Sequence, residues 1–100
     1  MANETQFRTL ICGSGSIGTR HAKNLRALGQ GTLAIVEPFE PRRVTVQTEL
    51  SCPVFADLEE ALQEFHSQIV FVCSPTKEHV PQALLALAAG ADVFMEKPLS

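Results

Sequence analysis

The chain has 100 residues, 45% of them hydrophobic and 19% charged, which suits one globular domain with its own core. Its net charge of −3 gives no electrostatic reason to expect a nucleic acid or an acidic membrane as a partner. No apolar run reaches the ~18 residues of a membrane span, and the opening "MANETQFRT" lacks the basic-then-apolar layout of a secretory signal.

The first half of the chain alternates between strand-like and helix-like stretches. An apolar run predicts a strand over Phe7–Cys12, and apolar residues at helical spacing predict a helix over Ser16–Leu28, which Gly29 ends. A second buried strand is predicted over Thr32–Glu37, and a short helix with proline in its first turn over Glu40–Leu50. This half therefore consists of two strand–helix units.

The second half repeats the alternation. A brief strand is predicted over Pro53–Ala56, followed by a helix that Asp57 caps, with a glutamate three residues later as in a capping box. The continuous apolar run Gln68–Cys73 predicts a strand that is covered on both faces. A helix over Glu78–Ala89 then ends at a glycine, and Asp92–Glu96 forms a fifth strand.

Strict strand–helix alternation predicts an α/β fold with a parallel sheet and helices on both of its faces. Right-handed crossovers favour the doubly wound, Rossmann-like strand order 3-2-1-4-5. Residues 1–100 then form a single nucleotide-binding domain, and the chain ends four residues after the fifth strand. A further strand with its crossover needs about 10–12 residues, so we expect the N-terminal part of a longer polypeptide.

A glycine-rich stretch, "GSGSIG", lies at the junction of the first strand and the first helix. Its glycines have separate roles: Gly13 permits a tight turn, Gly15 lets backbone approach a pyrophosphate, and Gly18 allows close packing of helix on strand. The helix N-terminus adds unpaired N–H groups and a partial positive charge for the phosphates. The predicted cofactor-binding residues of this turn are Gly13, Ser14, Gly15, Ser16, Ile17 and Gly18.

A carboxylate follows this turn at the spacing that dinucleotide-binding sites use. Glu37, 19 residues beyond Gly18, ends the second predicted strand, where it could accept both hydroxyls of an adenosine ribose. Because a 2′-phosphate needs a facing cation and no facing carboxylate, Glu37 favours NAD over NADP. The nearby Arg42 and Arg43 keep NADP possible. A purely structural turn beside an exposed glutamate is the alternative.

Two more unusual stretches follow the fourth and fifth strands, "SPT" from Ser74 and "EKP" from Glu96. Carboxyl ends of parallel strands meet at one sheet edge, and doubly wound folds bind ligands there, where the strand order reverses. Strands two to five would span about 14 Å at ~4.8 Å per strand, which is comparable to a dinucleotide lying across the edge. We therefore expect adenosine at Glu37 and nicotinamide toward Lys97.

The stretches "GSGSIG", "SPTKEH" and "EKPLS" together resemble the glucose-fructose oxidoreductase/inositol dehydrogenase (Gfo/Idh/MocA) family. The resemblance implies a nicotinamide-dependent oxidoreductase that acts on a sugar, polyol or nucleotide sugar. It implies a catalytic role for Lys97 beside the reacting hydroxyl and a cis Lys97–Pro98 bond. The family's catalytic aspartate and histidine belong to a C-terminal α/β domain that nothing here matches. The predicted cofactor-binding residues beyond Glu37 are Ser74, Pro75, Thr76, His79, Glu96, Lys97 and Pro98.

Other roles stay open at this point. His79 could contact the cofactor or be a partly exposed residue of a helix's first turn, and the domain could be a non-catalytic NAD-sensing module. Cys12, Cys52 and Cys73 show neither a CxxC pair nor metal-ligand spacing, which predicts reduced thiols, no metal site and a cytoplasmic location. A disulfide between Cys12 and Cys73 is the alternative. The exposed edge of the fifth strand favours a homo-oligomer.

Overall fold

The computed structural model describes residues 7–28, 31–74 and 76–95, in which five strands alternate with helices. The strands are β1 (Phe7–Cys12), β2 (Gly31–Val36), β3 (Val54–Phe55), β4 (Ile69–Val72) and β5 (Asp92–Met95). The helices are α1 (Ser16–Leu28), α2 (Glu40–Leu50), α3 (Leu58–Phe65) and α4 (His79–Ala88), with a 3₁₀ turn at Thr76–Glu78 directly before α4.

All neighbouring strands pair in parallel, in the order β3-β2-β1-β4-β5, which confirms the predicted topology. The order reverses between β1 and β4, because the chain leaves β3 at one edge and returns beside β1. The carboxyl ends of β1 and β4 therefore lie side by side, and any site formed by the loops after them is at this edge.

Helices lie against both faces of the sheet, as the continuous apolar strands predict. Alternate strand residues point to opposite faces, so each strand contributes to two cores. The core beneath α3 and α4 includes Leu10, Cys12, Val36, Val70, Val72, Leu58, Ala61 and Ala86. The core beneath α1 and α2 includes Ile11, Leu33, Ile35, Ala22, Val46 and Leu50.

The bounds of α1 and α2 are as predicted, but several strand bounds are wrong. Strand β2 ends at Val36 and not at Glu37, and both β3 and β4 are shorter than predicted. Helix α4 begins one residue later than predicted, at His79. For the ends of β2 and β4 the reason is the register: Cys12, the last residue of β1, pairs with Val36 and with Val72. The residues that follow those pairs lie outside the strand ladders and continue into loops.

Local signals account for the helix ends. The Asp57 carboxylate accepts a hydrogen bond from the backbone N–H of Glu60 at 3.2 Å, which confirms the predicted N-cap of α3. Beyond α4, Gly90 takes a positive φ of 90°, a conformation that favours glycine. In the described part of the chain, no helix has the length and apolar character that a membrane crossing requires.

Candidate functional site

The glycine turn joins β1 to α1 at the carboxyl edge of the sheet. Gly13 donates its backbone N–H to the carbonyl of Val36 at 2.8 Å and has a φ of 96°. A Cβ atom on Gly13 would lie 3.0 Å from the Cα of Ser74, so the loop after β4 packs directly on this turn. The positive φ and the close approach of Ser74 explain why position 13 needs glycine.

The other two glycines of the motif have opposite surroundings. A Cβ atom on Gly18 would overlap the carbonyl oxygen of Gly13, far inside the 3.0 Å that real Cβ contacts respect. A Cβ atom on Gly15 would meet no protein atom within 4 Å. Gly18 is therefore required by the packing of α1, whereas nothing in the described structure requires glycine at position 15. The space over Gly15 is the kind of cradle that a pyrophosphate would fill.

Glu37 lies directly after β2 and is held against the glycine turn. Its Oε1 accepts hydrogen bonds from the backbone N–H of Ser14 at 2.9 Å and from the Ser14 hydroxyl at 2.7 Å. Its Oε2 accepts one from the backbone N–H of Phe39 at 3.0 Å. Glu37 is only 4% exposed, so the alternative of an exposed glutamate is wrong. Oε2 keeps more acceptor capacity than Oε1, which already has two donors.

The Glu37 carboxyl is held in its charged form. Burial by itself would raise its pKa, but the hydrogen bonds from Ser14 and Phe39 and the nearby Arg42 guanidinium outweigh burial. The net result is a pKa below the usual value of 4.5. The site therefore presents a negative charge at neutral pH.

We expect the stability that Glu37 confers to depend on pH. Because its pKa is lower in the folded than in the unfolded chain, this stability is complete above about pH 4.5 and disappears as the pH falls through the lowered value. Glu37→Gln should lose about 2 kcal/mol of unfolding free energy at pH 7, typical of hydrogen bonds to a charged group. The deficit should shrink below pH 4.5 in urea unfolding.

The control for this measurement is Glu64→Gln, which removes a carboxylate from the exposed surface of α3. Its deficit should be near zero at every pH, because exposed substitutions away from special features change stability little. If the loss of unfolding free energy in Glu37→Gln stays constant down to pH 3, the stabilisation does not come from a charged Glu37 carboxylate that accepts hydrogen bonds from Ser14 and Phe39.

The two arginines that kept NADP possible have different environments. The Arg43 guanidinium donates to the backbone carbonyls of Glu37 at 2.8 Å and Pro38 at 3.2 Å, so it stabilises the β2–α2 loop. Arg42 lies 3.8 Å from Oε1 of Glu37, is half-exposed, and stacks over the Phe39 ring at 5.6 Å from the centroid. Of these two arginines, Arg42 is the one whose guanidinium lies near the Glu37 carboxylate.

The loop after β4 is held by residues of α4. Nε2 of His79 lies 2.6 Å from the carbonyl oxygen of Ser74, and the Ser74 hydroxyl donates to Oε1 of Gln82. His79 is 6% exposed, so the alternative of a partly exposed first-turn residue is wrong. Gln82 was missed by sequence reasoning, because nothing in a helical glutamine's position indicates a partner in the preceding loop.

An apolar cavity of about 310 Å³ lies beside Glu37, between the ends of β2 and β3 and the start of α4. Its lining is mainly apolar and includes four polar residues. The lining residues include Val36, Pro38, Ala56, Leu58, Pro81 and Leu85, and the polar ones are Asp57, Lys77, Glu78 and Gln82.

The three cysteines, all in the described part of the chain, form no disulfide. Cys12 ends β1 and Cys73 directly follows β4, and the Cys73 N–H donates to the Cys12 carbonyl at 2.9 Å. Burial, with smaller contributions from Cys73 and Glu78, raises the pKa of Cys12 to about 12. Burial also raises the pKa of Cys52. Such thiols are poor nucleophiles.

The edge thus gathers three of the sequence-predicted stretches: the glycine turn, Glu37 and the loop at Ser74. Other predicted residues lie outside the described part of the chain, so the cis bond and the position of the lysine stay predictions. These residues are Pro75, Glu96, Lys97 and Pro98.

A family comparison agrees with this geometry. Residues 7–100 match the GFO/IDH/MocA family, described as an oxidoreductase family with an NAD-binding Rossmann fold. The chain belongs to this family. The resemblance noted in the sequence motifs is therefore confirmed over nearly the whole chain.

Relatives of this Gfo/Idh/MocA chain include dehydrogenases with different substrates. A scyllo-inositol 2-dehydrogenase (NAD(+)) of Bacillus subtilis (strain 168) is 31% identical over 97% of this chain and 29% of its own length. A UDP-N-acetylglucosamine 3-dehydrogenase of Acidithiobacillus ferrooxidans is 30% identical over 94% of this chain and 29% of its own length. The Gfo/Idh/MocA chain thus spans less than a third of these relatives.

Solved structures give the same picture. The crystal structure of scyllo-inositol dehydrogenase from Lactobacillus casei, with bound NAD(H) and scyllo-inositol, superposes with a TM-score of 0.84 at 30% identity. The match covers 95% of this chain and 29% of that one.

Proposed function

We propose that this chain is the NAD-binding Rossmann domain of a two-domain oxidoreductase. The complete enzyme transfers a hydride between a nicotinamide cofactor and a hydroxyl of a sugar, polyol or nucleotide sugar. The observation that carries the proposal is the open space over Gly15 beside the buried, charged Glu37, at the edge where the strand order reverses. A non-catalytic NAD-sensing module is the second candidate, and Lys97 discriminates between the two.

The described residues fit a dinucleotide. Because α1 begins at Ser16, directly after Gly15, the unpaired backbone N–H groups of its first turn lie next to the space over Gly15, where they would hold the pyrophosphate. Oε2 of Glu37, with one donor from Phe39, would accept hydrogen bonds from the adenosine ribose. The cavity of about 310 Å³ beside Val36 and Pro38 has the apolar walls that suit an adenine ring.

The loop after β4 would form the opposite side of this site. Ser74 packs closely on Gly13. His79 contacts the carbonyl oxygen of Ser74, and Gln82 accepts a hydrogen bond from its hydroxyl. His79 would then act on the cofactor through the loop that it orients, while Ser74 and Thr76 border the site.

Catalysis would depend on Lys97. When bound, the nicotinamide supplies the hydride acceptor or donor. The Lys97 ammonium would hydrogen-bond the reacting hydroxyl and stabilise the negative charge that develops on its oxygen. Glu96 and Pro98 would orient Lys97 toward the site, and the general base would come from the C-terminal domain.

The decisive experiment is calorimetric titration of the purified chain with NAD and with NADP. We expect NAD to bind more tightly, because the Glu37 charge opposes a 2′-phosphate. In the complete polypeptide, Lys97→Ala should keep NAD affinity and lose at least about 100-fold in turnover, comparable to removing one stabilising donor of developing charge. Absence of NAD binding would refute the proposal, and NAD binding without turnover on any polyol or nucleotide sugar would favour the sensing module.

A cytoplasmic location and a homo-oligomeric enzyme belong to the same proposal. Phe94 and Met95 of β5 are 47% and 42% exposed, so this edge strand offers apolar surface to a partner. Light scattering of the purified chain tests whether it associates through this edge, and a monomer at high concentration would contradict the proposal.

A further inference from the structure

A second cavity borders the glycine turn on the side of α1 and α2. It has a volume of about 690 Å³ and begins at Ser14 and Gly15. We call it the cationic groove, since Arg20, Lys23 and Arg42 line it and Glu49 is the acidic residue among its lining side chains. Such a groove suits a phosphate monoester.

The cationic groove also borders Glu37. Arg42 lines the groove and lies 3.8 Å from Oε1 of Glu37, and Ser14 lines the groove and donates to the same oxygen. The Glu37 carboxylate therefore lies directly against two residues of the groove lining. A 2′-phosphate that entered the groove beside the adenosine ribose would meet that negative charge.

Ser14 determines where this charge lies. Its backbone N–H and its hydroxyl both donate to Oε1, at 2.9 and 2.7 Å, and Ser14 is only 5% exposed. The carbonyl of Ser14 in turn accepts from the Thr19 hydroxyl at 2.9 Å, which anchors Ser14 to α1. Without the Ser14 hydroxyl, Oε1 would keep one strong donor, and the carboxylate could turn toward Arg42.

We propose that Ser14 is a specificity-determining residue, which holds the Glu37 carboxylate beside the cationic groove and thereby excludes the 2′-phosphate of NADP. Ser14 is thus a positioning residue that acts through Glu37, and the groove behind it is a latent phosphate site. This inference rests on the proposed NAD-binding function.

The test is the ratio of NADP to NAD dissociation constants, measured by calorimetry on the purified chain. Ser14→Ala should weaken NAD binding about tenfold and change NADP binding less than about threefold. The reason is that the displaced Glu37 loses its hydrogen bond from the 2′-hydroxyl of the adenosine ribose, and only NAD has that hydroxyl. In a Glu37→Gln background, Ser14→Ala should leave the ratio unchanged. The matched control is Ser67→Ala, at the opposite edge of the sheet before β4, which should leave both constants unchanged.

A second variant tests the cationic groove itself. In the Ser14→Ala background, Lys23→Ala should weaken NADP binding about fivefold and leave NAD binding unchanged. The pyrophosphate of either nucleotide would occupy only the Gly15 end of the groove, and only the 2′-phosphate would reach Lys23. A Lys23→Ala variant that affects both nucleotides equally would overturn the groove as the phosphate site.

Other outcomes separate this inference from the proposed function. Ser14 is merely structural if Ser14→Ala weakens the binding of both nucleotides by the same factor. The same holds if Ser14→Ala changes the ratio of NADP to NAD dissociation constants equally in the Glu37→Gln background. In either case the inference fails while NAD binding stands. If the unaltered chain binds neither nucleotide, the proposed function fails and this inference fails with it.

Discussion

Gly15→Ala should abolish detectable NAD binding and leave the fold intact. A methyl group at this position meets no protein atom within 4 Å, so it occupies only the space over the turn. If the pyrophosphate lies there, the methyl group separates it from the backbone N–H groups, and affinity should fall at least about 100-fold, which is about 2.7 kcal/mol. Calorimetric titration with NAD measures the loss.

The stability of the Gly15→Ala variant should stay within about 0.5 kcal/mol of the unaltered chain, because two small effects oppose each other. Replacing glycine by alanine before the first residue of α1 weakens the helix cap. The same change reduces the entropy of the unfolded chain by a similar amount. If NAD still binds with unchanged affinity, the space over Gly15 is not the pyrophosphate site.

Gly18→Ala should have the opposite outcome, a large loss of stability. The new Cβ atom would overlap the Gly13 carbonyl oxygen, which is backbone and cannot rotate away. Alanine gains about 1 kcal/mol over glycine in a helix interior. Overpacking costs about 1–3 kcal/mol and occasionally more, and here α1 has to move away from β1. Because the clash is with backbone, we place the overpacking cost above that range, at about 4 kcal/mol, which leaves a net loss of about 3 kcal/mol.

For a domain of this size, a loss of that magnitude lowers Tm by roughly 12–24 °C. Thermal unfolding followed by circular dichroism measures it, and Gly15→Ala is the matched control, being the same substitution three residues earlier. A Gly18→Ala variant as stable as the unaltered chain would show that α1 and β1 are farther apart than described here.

Much of the fold could be predicted because its signals are local. The bounds of α1 and α2 follow from helical spacing and from a proline in the first turn of α2. The Asp57 cap follows from a side chain that bonds the backbone N–H only three residues later. The strand order followed from the handedness rule, which needs only the succession of elements. Strand ends were predicted less well, since register with β1 decides them.

The partners within the candidate site could not be predicted in the same way. Ser14 and Glu37 are 23 residues apart, and their hydrogen bonds exist only because β1 and β2 pair in register. Arg43 could be counted as a phosphate ligand from its position alone, yet its guanidinium holds the Glu37 and Pro38 carbonyls. Likewise, the contact between Gly13 and Ser74 depends on the adjacency of β1 and β4.

By itself, the sequence determined the family, the succession of elements and the meeting of the glycine turn, Glu37 and the loop at Ser74 at the carboxyl edge. These properties depend on residue type and spacing, which can be read directly from the amino-acid sequence. Only the tertiary structure decided that Gly18 serves packing while Gly15 leaves open space, and that Glu37 is buried on Ser14. Those outcomes depend on ångström-scale distances between segments far apart in the chain, which are set by strand register and helix packing.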